Sequence, residues 1–185
     1  MVLPAEPEPV EVGSVAPAPG LPRRDAAARA ALAEAARRAQ PVTGAHERRL
    51  SVPGALGARL PGGGLRRGTT VAVGGAPGSG GTSAAFALAA AATAAGEWVA
   101  AVELGSSLGV LAAAEAGVDL TRFAVVRRVP PARWATVVAA LLDGMGLVCA
   151  EVPSGVRAGD ARRLVARARE RDAVLVALEV GAAWP

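Results

Sequence analysis

The sequence predicts an α/β domain in which a mostly parallel sheet has helices on both faces. From Thr69 onward, short apolar runs alternate with longer segments whose apolar residues recur at helical spacing. The short runs are bounded by glycine, proline and charged residues, as buried strands are. Strands that alternate with helices form parallel sheets covered on both sides. The prediction depends on this consistency: from Thr69 onward, the hydrophobic spacing of each segment fits the strand or the helix assigned to it.

Five strands are predicted, at residues 70–73, 98–103, 123–127, 147–152 and 174–178. Four helices connect them. The first, 82–95, ends at Gly96, and the second, 107–116, has Ser106 or Ser107 as its cap and ends at Gly117. Pro131 suits the first turn of the third helix, which ends at Gly144. The fourth covers 158–171.

Ahead of this region the composition changes. Residues 1–20 are rich in proline and glutamate without hydrophobic periodicity, so we expect a disordered tail. Residues 21–40 are rich in alanine and arginine and predict a helix that Pro41 stops. Residues 42–67 are broken by proline and glycine, which indicates an extended lead-in with turns. The expected organisation is a tail at 1–20, a helix at 21–41 and a core domain at 42–185.

Composition limits the function classes. The net charge is +4 and every basic residue is arginine, a bias typical of GC-rich genomes that permits a nucleic-acid partner without demanding one. With one cysteine and one histidine, an intrachain zinc site is excluded, and Cys149 is expected to be a buried core residue. No apolar stretch is long enough for a membrane span and no signal peptide is recognisable. The expected location is the cytoplasm, with association with the nucleoid as a variant.

A glycine-rich loop follows the first strand. The phosphate-binding template G-x-x-x-x-G-K-[ST] lies between a strand and a helix, and the chain has Gly75, four residues, Gly80, then Gly81 and Thr82. Such glycines let backbone N–H groups turn toward an anion, and the helix dipole adds to the attraction. The candidate binding residues are Gly75, Gly78, Ser79, Gly80, Gly81, Thr82 and Ser83.

The loop lacks its lysine, because Gly81 stands at that position and the chain has no lysine at all. A charge-assisted bond to phosphate contributes about 1.5–3 kcal/mol, so its loss weakens nucleotide binding. Three readings stay open: a tight turn alone, ATP with magnesium bound without hydrolysis, and residual ATP turnover. Glu151 ends the fourth strand where a metal-site acid is usual, so Thr82 and Glu151 are interpreted as a vestigial magnesium site.

Several segments resemble RecA. They are the lead-in Leu60-Pro61-Gly62-Gly63-Gly64-Leu65-Arg66-Arg67-Gly68, the strand Gly96-Glu97-Trp98-Val99-Ala100-Ala101-Val102-Glu103, and Ala113-Ala114-Glu115-Ala116-Gly117-Val118-Asp119-Leu120. The resemblance implies a RecA-like P-loop fold over residues 51–178. It places Thr82 at the magnesium-ligand position, Glu103 at an acidic strand end and Gly105 where the catalytic glutamate belongs. Two losses in one site imply that hydrolysis is gone and that no catalytic residue remains.

Within this superfamily the chain is most similar to short, degenerate RecA-like proteins of the ImuA type. That resemblance implies an accessory role in DNA repair, namely the SOS response and mutagenic translesion synthesis. The implied partners are an ImuB-like Y-family polymerase homologue and an error-prone replicative-type polymerase, bound by protein–protein interaction.

Other functions stay open. One is a weak ATP-binding switch or ATPase, and another is a relative of the SOS cell-division inhibitors, which share this fold branch. A third is DNA binding through the outward arginines of the last helix, which are Arg162, Arg163, Arg167, Arg169 and Arg171.

Overall fold

The computed structural model describes residues 49–75, 78–105, 108–179 and 184. The tail predicted at 1–20 and the helix predicted at 21–41 lie outside the described residues. All described residues belong to one compact unit, Thr43–Pro185.

Five parallel strands and four helices form the main α/β body. The strands are β3 (Thr70–Gly74), β4 (Val99–Glu103), β5 (Phe123–Arg127), β6 (Leu147–Glu151) and β7 (Val174–Glu179). The helices are α2 (Gly81–Ala94), α3 (Val110–Glu115), α4 (Pro131–Leu142) and α5 (Ala158–Glu170). These bounds confirm the predicted order of elements, with ends shifted by up to three residues at α3 and by one or two elsewhere.

The strands lie in the order β3-β7-β6-β4-β5, and every neighbouring pair is parallel. Side chains therefore alternate between two faces along each strand. On β4, Val99 and Ala101 pack with α2 and α3, whereas Val102 packs with α4 and α5. The sheet thus has two helices on each face, which confirms the predicted α/β arrangement of a parallel sheet with helices on both faces.

Helix α4 shows how the sequence positions these layers. Pro131 occupies its first turn, and Trp134, Val138 and Leu142 are almost completely buried against the sheet. These residues recur at the spacing of one helical face. Val137 and Leu141 are only half-buried, because they lie at the margins of that face.

The lead-in is more structured than predicted. Strands β1 (Arg49–Ser51) and β2 (Gly64–Arg66) form an antiparallel pair that encloses a short helix, α1 (Gly54–Arg59), and a 3₁₀ turn at Pro61–Gly63. Leu50, Val52 and Leu65 are buried in the cluster that contains α2. Tertiary burial of these three side chains offsets the local preference of glycine and proline for open turns.

Among the described residues, no helix combines the length and the apolar character that a membrane crossing requires.

Candidate functional site

The glycine-rich loop lies at the carboxyl edge of the sheet, between β3 and α2. Gly78 and Gly80 have φ values of 84° and 93°, in the left-handed region that favours glycine. Gly78, Ser79, Gly80, Thr82 and Ser83 are exposed, and Gly75 at the end of β3 is exposed as well. Residues 76 and 77 lie outside the described residues, so the structure places the two ends of the loop.

Helix α2 begins at this loop. Gly80, the residue before its first turn, has no side chain that could cap the helix, and the first turn contains no acidic residue. The positive end of the helix dipole therefore faces solvent, as an anion site requires.

The structure leaves room for a Cβ atom at Gly81, the position of lysine in the phosphate-binding template. Among the described residues, such an atom would meet only Val73 Cγ1, at 3.8 Å, which is an ordinary van der Waals contact. Crowding around the Cβ position therefore does not require glycine there.

Glu103 ends the interior strand β4 on the same face of the sheet as α2. Its side chain is fully buried, and among the described residues neither carboxylate oxygen has a hydrogen-bond partner. Arg127 ends the adjacent strand β5, and its Nε lies 3.7 Å from Glu103 Oε2. Arg127 also donates a long bond of 3.3 Å to the carbonyl of Leu108. Glu103 is thus an enclosed carboxyl group with one half-exposed counter-charge.

Glu151 ends β6 on the other side of β4. Its Oε2 accepts a hydrogen bond of 2.7 Å from the backbone N–H of Leu104 and a longer one of 3.4 Å from that of Gly105. Gly105 itself is exposed, with open space where a side chain would be. The carboxylate proposed as a vestigial metal ligand therefore ties the end of β4 to the end of β6.

The described residues contain no group of three or more histidine, cysteine, aspartate or glutamate side chains arranged to hold a metal ion. Cys149 is buried, as predicted, and burial raises the pKa of its thiol to about 12. A thiol with this pKa is not a nucleophile at neutral pH.

The arginine face of α5 is partly neutralised by the protein itself. Asp143 accepts from Arg167 Nε and Nη2 at 2.6 and 2.7 Å and from Arg171 Nε at 3.2 Å. Arg163 is paired with Asp160 at 2.6 Å. Of the five predicted DNA-contacting arginines, Arg162 and Arg169 make no ion pair with the described residues. Fewer arginines of this helix are therefore available to contact DNA phosphates than the sequence indicates.

The Asp143 cluster predicts a pH dependence of stability. The hydrogen bond from Arg167 holds the pKa of Asp143 below its usual value of 3.8. A lowered folded-state pKa stabilises the fold above the ordinary carboxyl pKa and loses that contribution as pH falls through the lowered value. We expect Asp143→Asn to lower the urea midpoint at pH 7 and to lower it less at pH 2, below the ordinary carboxyl pKa. An equal loss at both pH values would contradict this ionic origin.

Sequence reasoning identified Glu103 as an acidic strand end but not its partner. Arg127 ends the next strand in the chain, and the carboxyl ends of parallel strands lie at one edge of a sheet. The positions of Glu103 and Arg127 at the carboxyl ends of two predicted strands could therefore have indicated the pair. That prediction also requires β4 and β5 to be neighbours in the sheet, which the register Glu103↔Arg127 establishes.

Comparison with known families adds a classification. No curated protein matches the chain. The family described as MT3502 N-terminal domain matches residues 58–185, a range that contains the glycine-rich loop and all five parallel strands. Because the match covers more than half of the sequence, the chain belongs to the MT3502 N-terminal domain family.

Proposed function

We propose that this protein is a catalytically silent, RecA-like P-loop protein that acts by protein–protein interaction as an accessory factor in damage-induced translesion synthesis. Its partners are an ImuB-like Y-family polymerase homologue and an error-prone replicative-type polymerase. Two observations support this proposal. One is the resemblance of the sequence to RecA-like proteins, and the other is the set of side-chain contacts at the carboxyl edge of the sheet.

The observation that carries the loss of catalysis is the environment of the two carboxylates that end β4 and β6. Glu151 accepts backbone N–H groups, and Glu103 is fully enclosed beside Arg127. A general base must reach the water that it activates. Gly105, at the position of the catalytic glutamate, has no side chain with which to do so. Glu151 instead joins the end of β6 to the end of β4.

In this proposal the glycine-rich loop still binds anions, although it no longer supports catalysis. The uncapped start of α2 favours a phosphate group, but no lysine supplies charge to it. ATP with magnesium is therefore proposed as a weak ligand that is held without hydrolysis.

Exposed apolar side chains support a role in interaction. Leu111 and Val110 are adjacent on α3, and their side chains are 73% and 41% exposed. Large apolar groups in this state are typical of protein-binding surfaces when they lie together. The segment at 21–40 is proposed as the second contact, since RecA-type proteins assemble through an N-terminal segment.

Capture of the Y-family polymerase homologue tests the proposal. We expect the full chain to retain it, and we expect deletion of residues 1–41 to abolish retention. Leu111→Asp should weaken retention, and Leu120→Asp, at the opposite edge of the sheet, is the matched control. Unchanged capture after the deletion would remove the N-terminal segment as the contact. Failure of the full chain to retain either polymerase would contradict the proposed function.

A further inference from the structure

Strand β3, which leads into the glycine-rich loop, forms a lateral edge of the sheet. Among the described residues it pairs with β7 alone. The strand is partly open to solvent, because Ala72 and Gly74 are exposed and Thr70, Val71 and Val73 are half-buried. An edge strand in this state presents backbone N–H and C=O groups that can pair with another strand.

The backbone groups that face outward belong to alternate residues. The carbonyl of Thr69 accepts from the N–H of Leu175 on β7, at 3.1 Å. In a regular strand the N–H and C=O of one residue point to the same side, and successive residues point to opposite sides. The register of β3 with β7 continues without interruption from Thr70 to Gly74. Thr70, Ala72 and Gly74 therefore direct their N–H and C=O groups away from β7.

Strand β3 lacks the features that usually protect an edge. Its sequence, Thr70-Val71-Ala72-Val73-Gly74, has no charged residue and no proline, and its register has no bulge. Proteins commonly block edge strands with such features. The other lateral edge of the described sheet, β5, ends at the charged residue Arg127. Two β3 strands can therefore approach each other without repulsion between like charges.

The pattern of β3 is complementary to itself. In an antiparallel pair with a twofold axis at Ala72, each Ala72 lies opposite its counterpart, and Thr70 lies opposite Gly74 of the second copy. Each of these residues directs its N–H and C=O outward, so every pair exchanges both backbone hydrogen bonds. Val71 lies opposite Val73 on the face that carries α2, where the branched side chains can pack across the two strands. This match favours a second copy of the chain as the partner.

We propose that two copies of this chain associate through antiparallel pairing of their β3 strands, which joins the two sheets into one continuous sheet. The same surface of each copy forms this interface, as twofold symmetry requires. The glycine-rich loop follows β3 directly, so the two loops lie at opposite ends of the paired strands. The proposal does not rest on the proposed function, because it uses only the backbone and the side chains of β3.

Size-exclusion chromatography with light scattering tests the proposal on the full chain, and we expect twice the mass of a single chain. Ala72→Pro removes an N–H that makes no bond to β7, so it should keep each sheet intact and give a monomer. Ala72→Lys places two like charges opposite each other and should also give a monomer. Ala140→Lys, at an exposed alanine of α4, is the matched control and should remain a dimer. Far-UV circular dichroism checks that each variant is folded.

Disulfide cross-linking tests the register. Residue 72 is exposed, whereas the native Cys149 is buried and does not compete. Opposite Cα atoms in a hydrogen-bonded antiparallel pair are about 5.5 Å apart, within the range of a disulfide. Ala72→Cys should therefore form a covalent dimer under mild oxidation. Thr70→Cys should not, because its counterpart lies about 13 Å away along the strand.

Several results would overturn the proposal. They are a monomeric wild type at every concentration measured, a dimer that persists in Ala72→Pro or Ala72→Lys, loss of the dimer in Ala140→Lys, and equal cross-linking of Thr70→Cys. A monomeric wild type whose β3 amides gain protection from hydrogen exchange only when a polymerase is added would assign the edge to a strand of that partner, and it would overturn the proposal as well.

Discussion

Replacing Trp134 with alanine is expected to lower the free energy of unfolding by about 3–5 kcal/mol, the largest effect of any substitution considered. Trp134 is 1% exposed and lies in the cluster that joins α4 to β4, β6 and α5. Its ring also meets the ring of Trp184 edge to face, with centroids 6.2 Å apart. Alanine would leave a cavity that the surrounding strands cannot close. Urea denaturation followed by far-UV circular dichroism measures the loss.

Trp98→Ala is the matched control. Trp98 is 50% exposed, and its ring contacts Arg122 at 6.0 Å. Loss of an exposed cation–π contact costs about 0.5–1 kcal/mol. Comparable losses for Trp98→Ala and Trp134→Ala would contradict the packing described for the second face of the sheet.

Substitutions at Glu103 and Arg127 are expected to have opposite effects. Removing one partner of a fully buried pair costs about 3–5 kcal/mol, because the remaining charge is uncompensated. Arg127 is half exposed, so the loss from Arg127→Ala should be smaller, at about 2 kcal/mol. Glu103→Leu removes an enclosed carboxyl group that has no hydrogen bond and leaves Arg127 free to be solvated. We expect it to be neutral or to stabilise the fold by about 1 kcal/mol.

The double variant Glu103→Leu/Arg127→Ala separates charge from packing. If the arginine acts through the carboxylate, the loss caused by Arg127→Ala should disappear when Glu103 is already leucine. A strong destabilisation by Glu103→Leu alone would show that the carboxylate stabilises the fold, and it would contradict this prediction.

The sheet was predictable because the local signals agree with burial. On β6 the run Leu147 to Ala150 is buried on both faces, which is why it reads as continuously apolar. Gly96 follows α2 with a φ of 83°, as a helix terminator should. Pro131 occupies the first turn of α4 as predicted, because its fixed φ and its missing N–H suit that position.

Features that depend on contacts between distant segments were not predictable. Strand β1 pairs with β2 across the turns of the lead-in, and burial of Leu50 and Leu65 stabilises a hairpin where glycine and proline favour open turns. The Glu103–Arg127 pair depends on strand order, which periodicity does not specify.

We propose that the protein keeps its α/β fold but does not hydrolyse ATP. The most direct measurement is release of inorganic phosphate from ATP with magnesium, compared between the wild type and Thr82→Ala at equal concentrations of folded protein. We predict that both release phosphate at the rate of the buffer alone. Turnover above that rate in the wild type, abolished by Thr82→Ala, would show that the glycine-rich loop is a working ATPase site and would contradict the account.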